Sequence, residues 1–385
     1  MAYYFIFPEK DNTIYSHPDR SSMNAGHDEI LEIVKERRST DNLLYPSRTL
    51  IQFKNDDLQS VISTTIGHSN FQASASIVNL KLTSTDAQNV ASTINLKVHA
   101  ISQSWDEGTG RYSNLPTSSN GCSWEFKNNT TIAHSWRTSS FGVGSTGSIS
   151  SHLTQGGGAW YTSSGFNSTQ QFLVGDSFDT NFDVTDIVKK WSASLFASQT
   201  YPTGITNNGY IIKQPETVEN NTSHSLGNLQ YFSTDTHTIY PPKLCFKWDD
   251  STYTDAYTGS AKQSGDLSVS LYRNKEEYNQ NDVATFRIHV RDKYPNRAFT
   301  TTSNFLNVSY FTTQSYYSVR DAHTEEEIIP FDTNFTKLSA DSEGMYFKLY
   351  MNGLQPERYY RVLFKHINTE GTTVYDNNHY FKIVR

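Results

Sequence analysis

The sequence predicts an all-β protein built as two sandwiches in series, and three observations predict it. Short runs alternate apolar and polar residues with the period of a half-buried strand. Aromatics make up 14% of the 385 residues, and the 24 Tyr and 22 Phe sit among abundant Ser, Thr and Asn, the mixture of strands joined by polar turns. A stretch at 249–266 (DDSTYTDAYTGSAKQSGD) holds almost no large aliphatics and many turn formers, so it reads as a linker between a longer and a shorter set of runs. With charged residues at 18% and only 11 prolines, the chain is of the folded class.

In the first set the alternation is clearest at 94–101 (INLKVHAI), where Ile94, Leu96 and Val98 share one face and Asn95, Lys97 and His99 the other. Similar runs lie at 49–53 (TLIQF), 77–82 (IVNLKL), 172–174, 210–213 (YIIK) and 244–248 (LCFKW). Long glycine- and serine-rich connections favour a sandwich with crossing loops, the jelly-roll type, over a meander of hairpins. Residues 28–37 (DEILEIVKER) fit a helix or a strand. The one clear helix is 182–194 (FDVTDIVKKWSAS): Val184, Ile187, Val188 and Trp191 fall at i, i+3, i+4 and i+7, and Asp183 is placed to cap its start. In the second set, 267–271, 284–290 (ATFRIHV), 305–310, 345–350 (MYFKLY), 359–364 (YYRVLF) and 379–384 have the spacing of an immunoglobulin- or fibronectin-type sandwich. The expected organisation is 1–250, a linker at 251–266, and 267–385.

A net charge of −7 offers no basic stripe for nucleic acid, and the one basic cluster, 35–38 (KERR), reads as a solvated turn. Cys122 and Cys245 are too far apart in sequence and too few for a disulfide framework or a zinc ribbon, and both are expected reduced. The first residues carry no basic n-region, so no signal peptide is expected, and no window reaches the length of a membrane span.

No nucleophile elbow, zinc-protease, P-loop, CxxC or EF-hand pattern occurs, and the 12 histidines are spaced like surface residues. Asp106 and Glu107 are neighbours that a strand would point to opposite faces, which argues against a glycosidase pair. Asp176, Asp179 and Asp183, with Asn181 among them, are candidate ligands for a structural calcium ion, but Asp183 is already placed as a cap and a solvated turn is the preferred reading. No other cofactor is expected. Trp136, Trp160 and Tyr161 flank the glycine-rich insert and are the candidate platforms for stacking on a sugar ring. Trp191 is expected to be structural.

Several pieces in order resemble the DNRLRE family of jelly-roll domains, relatives of carbohydrate-binding modules. They are DNTIY at 11–15, Asn24 and Gly26 ahead of an Ile-Leu-x-Ile strand, RTLIQF at 48–53, the strand at 77–82, and 94–101 leading into WDEGT at 105–109. CSW at 122–124, GAW at 158–160, the 182–194 helix, NNGY at 207–210, FS at 232–233 and the 242–248 strand complete the series. The naming string itself is absent, and the insert between Trp124 and Trp160 is long. The resemblance implies that 30–34 is a strand and that the helix seals one end of the sandwich through Trp191. In the second set, GLQP at 353–356 before Tyr360 resembles the corner of a fibronectin type III domain. The overall style, and the opening MAYYFIFPEKDNTIYSHP, resemble virion structural proteins of contractile-tailed phages of marine cyanobacteria. The expected function is therefore a non-enzymatic tail, baseplate or neck component, made in a host cytoplasm and assembled in multiple copies with other virion proteins. The alternative is a carbohydrate-binding module for a cell-surface polysaccharide.

Overall fold

The computed structural model describes residues 2–385 except 74, 113–119, 137–144, 147–155, 197–203, 226, 254–260, 263–265, 273 and 295–308. Strands account for 48% of the chain against 11% helix, so the chain is all-β, with its strands in several sheets. It divides into two compact units: one of Ile6–Ala73 and Ile77–Cys245, the other of Phe246–Arg385 with Met1–Phe5 and Ser74–Ser76. The division falls ahead of the segment that the sequence marks as a linker. The run expected at 305–308 lies outside the described residues.

The larger unit is organised by an antiparallel sheet in the order Asn167–Leu173, Thr93–Ala100, Tyr210–Lys213, Leu44–Phe53 and Pro8–Tyr15. Leu44–Phe53 is buried along nearly its whole length because both of its faces are covered. On one face Arg48, Leu50, Ile211 and Lys213 point into a core shared with Ile14, Trp124 and Trp160. On the other, Tyr210 and Phe53 meet Trp191, whose ring centroid is 4.6 Å from that of Tyr210. Trp191 belongs to the helix Thr185–Leu195, where Ile187, Val188 and Trp191 are at most 1% exposed. Burial of each large side chain is worth roughly 1.5–3 kcal/mol. The helix starts later than expected, with Val184 at the cap position. Asp183 serves it from one residue further out, its Oδ1 accepting the Thr185 N–H at 3.1 Å.

Two expectations need correction. This helix is not alone: Asn55–Gln59, a π-helical turn Ser60–Ile66 and His68–Ala73 follow the central strand and bury Leu58, Val61, Ile62 and Phe71. And 35–38 is not a solvated turn. Lys35–Arg37 pairs with Leu44–Phe53, and Lys35 is 3% exposed, its ammonium donating to the carbonyls of Val218, Asn221 and His224.

The second unit stacks Leu267–Tyr272, Val283–Asp292, Gly344–Tyr350 and Ser339–Asp341 against Glu277–Asn279, Gly371–Val384, Tyr359–Asn368, Ser315–Asp321 and Glu327–Ile329. Aromatic rings join the two layers: Phe347, stacked at 5.0 Å on its cross-strand neighbour Phe286, stacks on Tyr317 of the facing layer at 4.2 Å. The Tyr360 hydroxyl donates back to the Gln355 carbonyl at 3.1 Å, the bond of a tyrosine corner.

Candidate functional site

The surface feature best equipped for recognition is a groove of about 260 Å³ on a small antiparallel sheet of the larger unit, ordered Ile30–Ile33, Asn228–Phe232, Ser84–Gln88. Strand alternation makes it. Leu31, Ile33, Leu229 and Tyr231 point inward and are buried, so the residues between them point out. Register then does what sequence distance hides: Glu32 lies opposite Gln230, and Gln230 opposite Asp86, so three polar side chains form a row across three strands.

The row is fixed by its own hydrogen bonds. Glu32 accepts from the Tyr15 hydroxyl at 2.8 Å and from the Gln230 amide at 2.7 Å, while Asp86 accepts from the Gln88 amide at 2.7 Å and the Ala87 N–H at 2.8 Å. Tyr15 and Tyr112 close one end with ring centroids 5.2 Å apart, and the Arg20 guanidinium lies over the Tyr112 ring at 4.5 Å. Burial, reinforced by Glu32, holds the Tyr15 phenol well above its usual range. Lys35 also lines the groove, where burial outweighs the attraction of Glu219 and lowers its ammonium to about 8.

The tryptophans expected to stack on ligands are placed elsewhere. Trp136 and Trp160 are 3% and 1% exposed, and neither offers a ring face to a sugar. Trp136 donates from Nε1 to the Ser123 carbonyl at 2.9 Å. Trp160 begins the short strand Trp160–Tyr161 and packs with Trp124 around the Arg48 guanidinium, which lies 4.9 and 4.5 Å from the two rings. Arg48 forms a two-pronged pair with Glu219 at 2.8 and 3.0 Å, Lys213 adds a third contact at 3.0 Å, and all three side chains are fully buried. Burial alone would raise Glu219, but Arg48 and Lys213 outweigh it and keep the carboxyl below its usual range. This network sits inside the protein and serves the fold. Tyr161 is half-buried and stacked on Phe166 at 5.0 Å.

Asp176 and Asp179 are exposed and turn to different amides, Asp176 to the Leu173 N–H and Asp179 to the Ser84 N–H, each at 2.8 Å. Among the described residues no group of three or more His, Cys, Asp or Glu side chains is arranged to hold a metal ion. The histidines are not all at the surface: His68, His99 and His366 are buried against aromatic rings, and burial, aided by Lys213, lowers His99 to about 4. Both cysteines are free thiols, Cys122 pushed up to about 12 by burial.

One further carboxyl is unusual. Asp11 is 1% exposed, accepts from the Thr234 N–H at 2.7 Å and its hydroxyl at 2.6 Å, and donates its own N–H to Glu107 at 3.0 Å. Burial raises it to about 7 against the pull of the Thr234 bonds, with Glu107 and Asp235 adding repulsion. Glu107 is therefore a partner of Asp11 in a packed loop.

Compared with known proteins, the chain matches no family model and no curated protein.

Proposed function

We propose that this protein is a non-catalytic recognition component whose larger unit binds an uncharged saccharide in the Glu32–Gln230–Asp86 groove. The observation that carries the reading is the pre-set polar row itself, amides and carboxylates placed to bond hydroxyls, with the half-buried Tyr112 at its end; Tyr15 is buried and holds Glu32 in place. Glu32 and Asp86 each accept two hydrogen bonds from neighbouring residues, which holds both side chains in place along the groove. The setting implied by the sequence resemblance is a tailed-phage particle facing a cell-surface polysaccharide. A glycan array followed by calorimetry tests this: wild type binds a neutral glycan, and Gln230→Ala or Tyr112→Ala weakens binding by about tenfold. Equal responses from all three proteins would end the reading.

A second reading, protein–protein assembly within such a particle, is favoured by a long exposed strand edge in the other unit, at Gly371–Val384. Mass spectrometry of purified particles tests it.

A further inference from the structure

The Gly371–Val384 strand belongs to a hairpin whose turn, Thr369-Glu370, is closed by the pair Asn368 and Gly371. In a two-residue hairpin that closing pair is hydrogen-bonded, and bonded and non-bonded pairs then alternate. Thr373 and Tyr375 therefore exchange bonds with His366 and Phe364, while Thr372 and Val374 direct N–H and C=O away from the hairpin; past Tyr375 the register shifts through a bulge before His379 meets Val362. One amide on the same side of the bulge confirms the phase: Ile367, opposite Thr372, donates away from the hairpin to Gln314 at 2.9 Å; beyond the bulge, Lys382 donates on the outer side to Glu276 at 2.8 Å. Among the described residues the outer edge is paired only by Glu277–Asn279, and only at Lys382–Val384.

The free edge is not isolated. Among the described residues Leu267–Tyr272 ends its own sheet, pairing only with Val283–Asp292, and it lies beside Gly371–Val384. The Asn377 side-chain amide donates to the Val269 carbonyl and pins the two edges at that point. Beyond the pin they part around a groove of about 500 Å³, walled by Asp266–Ser268 on one side and Thr373–Asn377 on the other. Thr372, Thr373, Val374 and Asp376 are exposed there. Asp266, Glu370 and Asp376 line it with Lys293; Asp376 is also paired with Arg361 at 3.4 Å, so Asp266 and Glu370 are the carboxylates that set its charge.

We infer that this slot receives an extended, basic segment of another chain, added as a strand to the outer edge at Thr372–Val374, ahead of the bulge. The backbone ladder supplies affinity without sequence preference, as in strand addition generally, and the carboxylates supply the choice of basic side chains. A second copy of this hairpin is a poor occupant because it would bring its own Glu370 against the same charges. The inference deepens the assembly reading and is independent of what the saccharide groove holds.

The test uses the full chain and two fluorescent probe peptides of eight residues, one alternating valine with lysine and one alternating valine with glutamate, read by anisotropy. The lysine probe binds, more weakly as salt rises, and the glutamate probe does not. Val374→Pro removes an outward N–H that the hairpin does not use, and weakens the lysine probe roughly tenfold. The double variant Asp266→Asn with Glu370→Gln leaves every strand bond in place and narrows the difference between the probes. No binding of the lysine probe, equal binding of both, or binding indifferent to both variants overturns the inference, as does concentration-dependent self-association abolished by Val374→Pro. A chain found in purified particles that ignores the lysine probe would overturn the slot and leave assembly standing.

Discussion

Asp11→Asn is predicted to flatten the pH dependence of stability of the larger unit. In the unfolded chain the Asp11 carboxyl titrates near its ordinary 3.8, and in the folded chain near 7, because burial disfavours the charged form. Between those limits the folded chain holds a proton that the unfolded chain has released. The stabilisation linked to this group is therefore fully present below pH 3.8 and is lost as pH rises through about 7. At about 1.36 kcal/mol per pH unit, the loss is roughly 4 kcal/mol between acid and pH 8, an order-of-magnitude figure. Asparagine keeps the shape and an acceptor for Thr234 and cannot ionise. Other carboxylates contribute their own slopes, so the informative quantity is the difference between wild type and variant. Five of the six tryptophans, Trp105, Trp124, Trp136, Trp160 and Trp191, belong to this unit, so urea unfolding followed by their fluorescence reports it directly. The variant should gain on wild type by a few kcal/mol from pH 5 to pH 8. Parallel curves across that range would refute the reasoning.

Two further predictions concern the buried charges. Arg48→Met leaves Glu219 and Lys213 buried without their guanidinium partner and should cost about 3–5 kcal/mol by urea unfolding. Gly157→Ala should cost about 2 kcal/mol or more in the same assay, because its φ of +78° suits glycine and an added Cβ would meet Arg48 Nη1 at 2.5 Å and the Trp124 ring at 2.6 Å.

Strands with one wet face could be read from the sequence because alternation survives in a single line of text. INLKVHAI became Thr93–Ala100, and the i, i+3, i+4, i+7 spacing of Val184 to Trp191 became a helix with its tryptophan inside. The helical segment after Phe53 is less legible: Leu58, Val61 and Ile62 repeat at helical spacing, but Ser60, Ser63, Thr64 and Thr65 are poor helix formers, and burial of the apolar side chains overrides that preference. The tryptophans beside the glycine-rich insert also looked like loop residues. Trp136 and Trp160 are in fact buried in one apolar cluster, where Trp160 and Trp124 flank Arg48, a long-range contact that no local pattern announces. The groove was hidden for a related reason. Glu32 and Gln230 each sit between apolar neighbours, which marks an outward position, but only the pairing of three distant segments aligns them with Asp86.

The ion cluster at Arg48 also bears on how the chain selects its own alignment. Leu44–Phe53 is buried on both sides, so burial alone scarcely distinguishes one strand offset from the next. A slip of a single position would turn the guanidinium to the opposite face and strand the Glu219 carboxylate and the Lys213 ammonium in a dry interior, a penalty no apolar side chain could impose. The three charges thus act as a proofreading key: the central strand can enter its sheet in many ways, and only one of them leaves no charge alone.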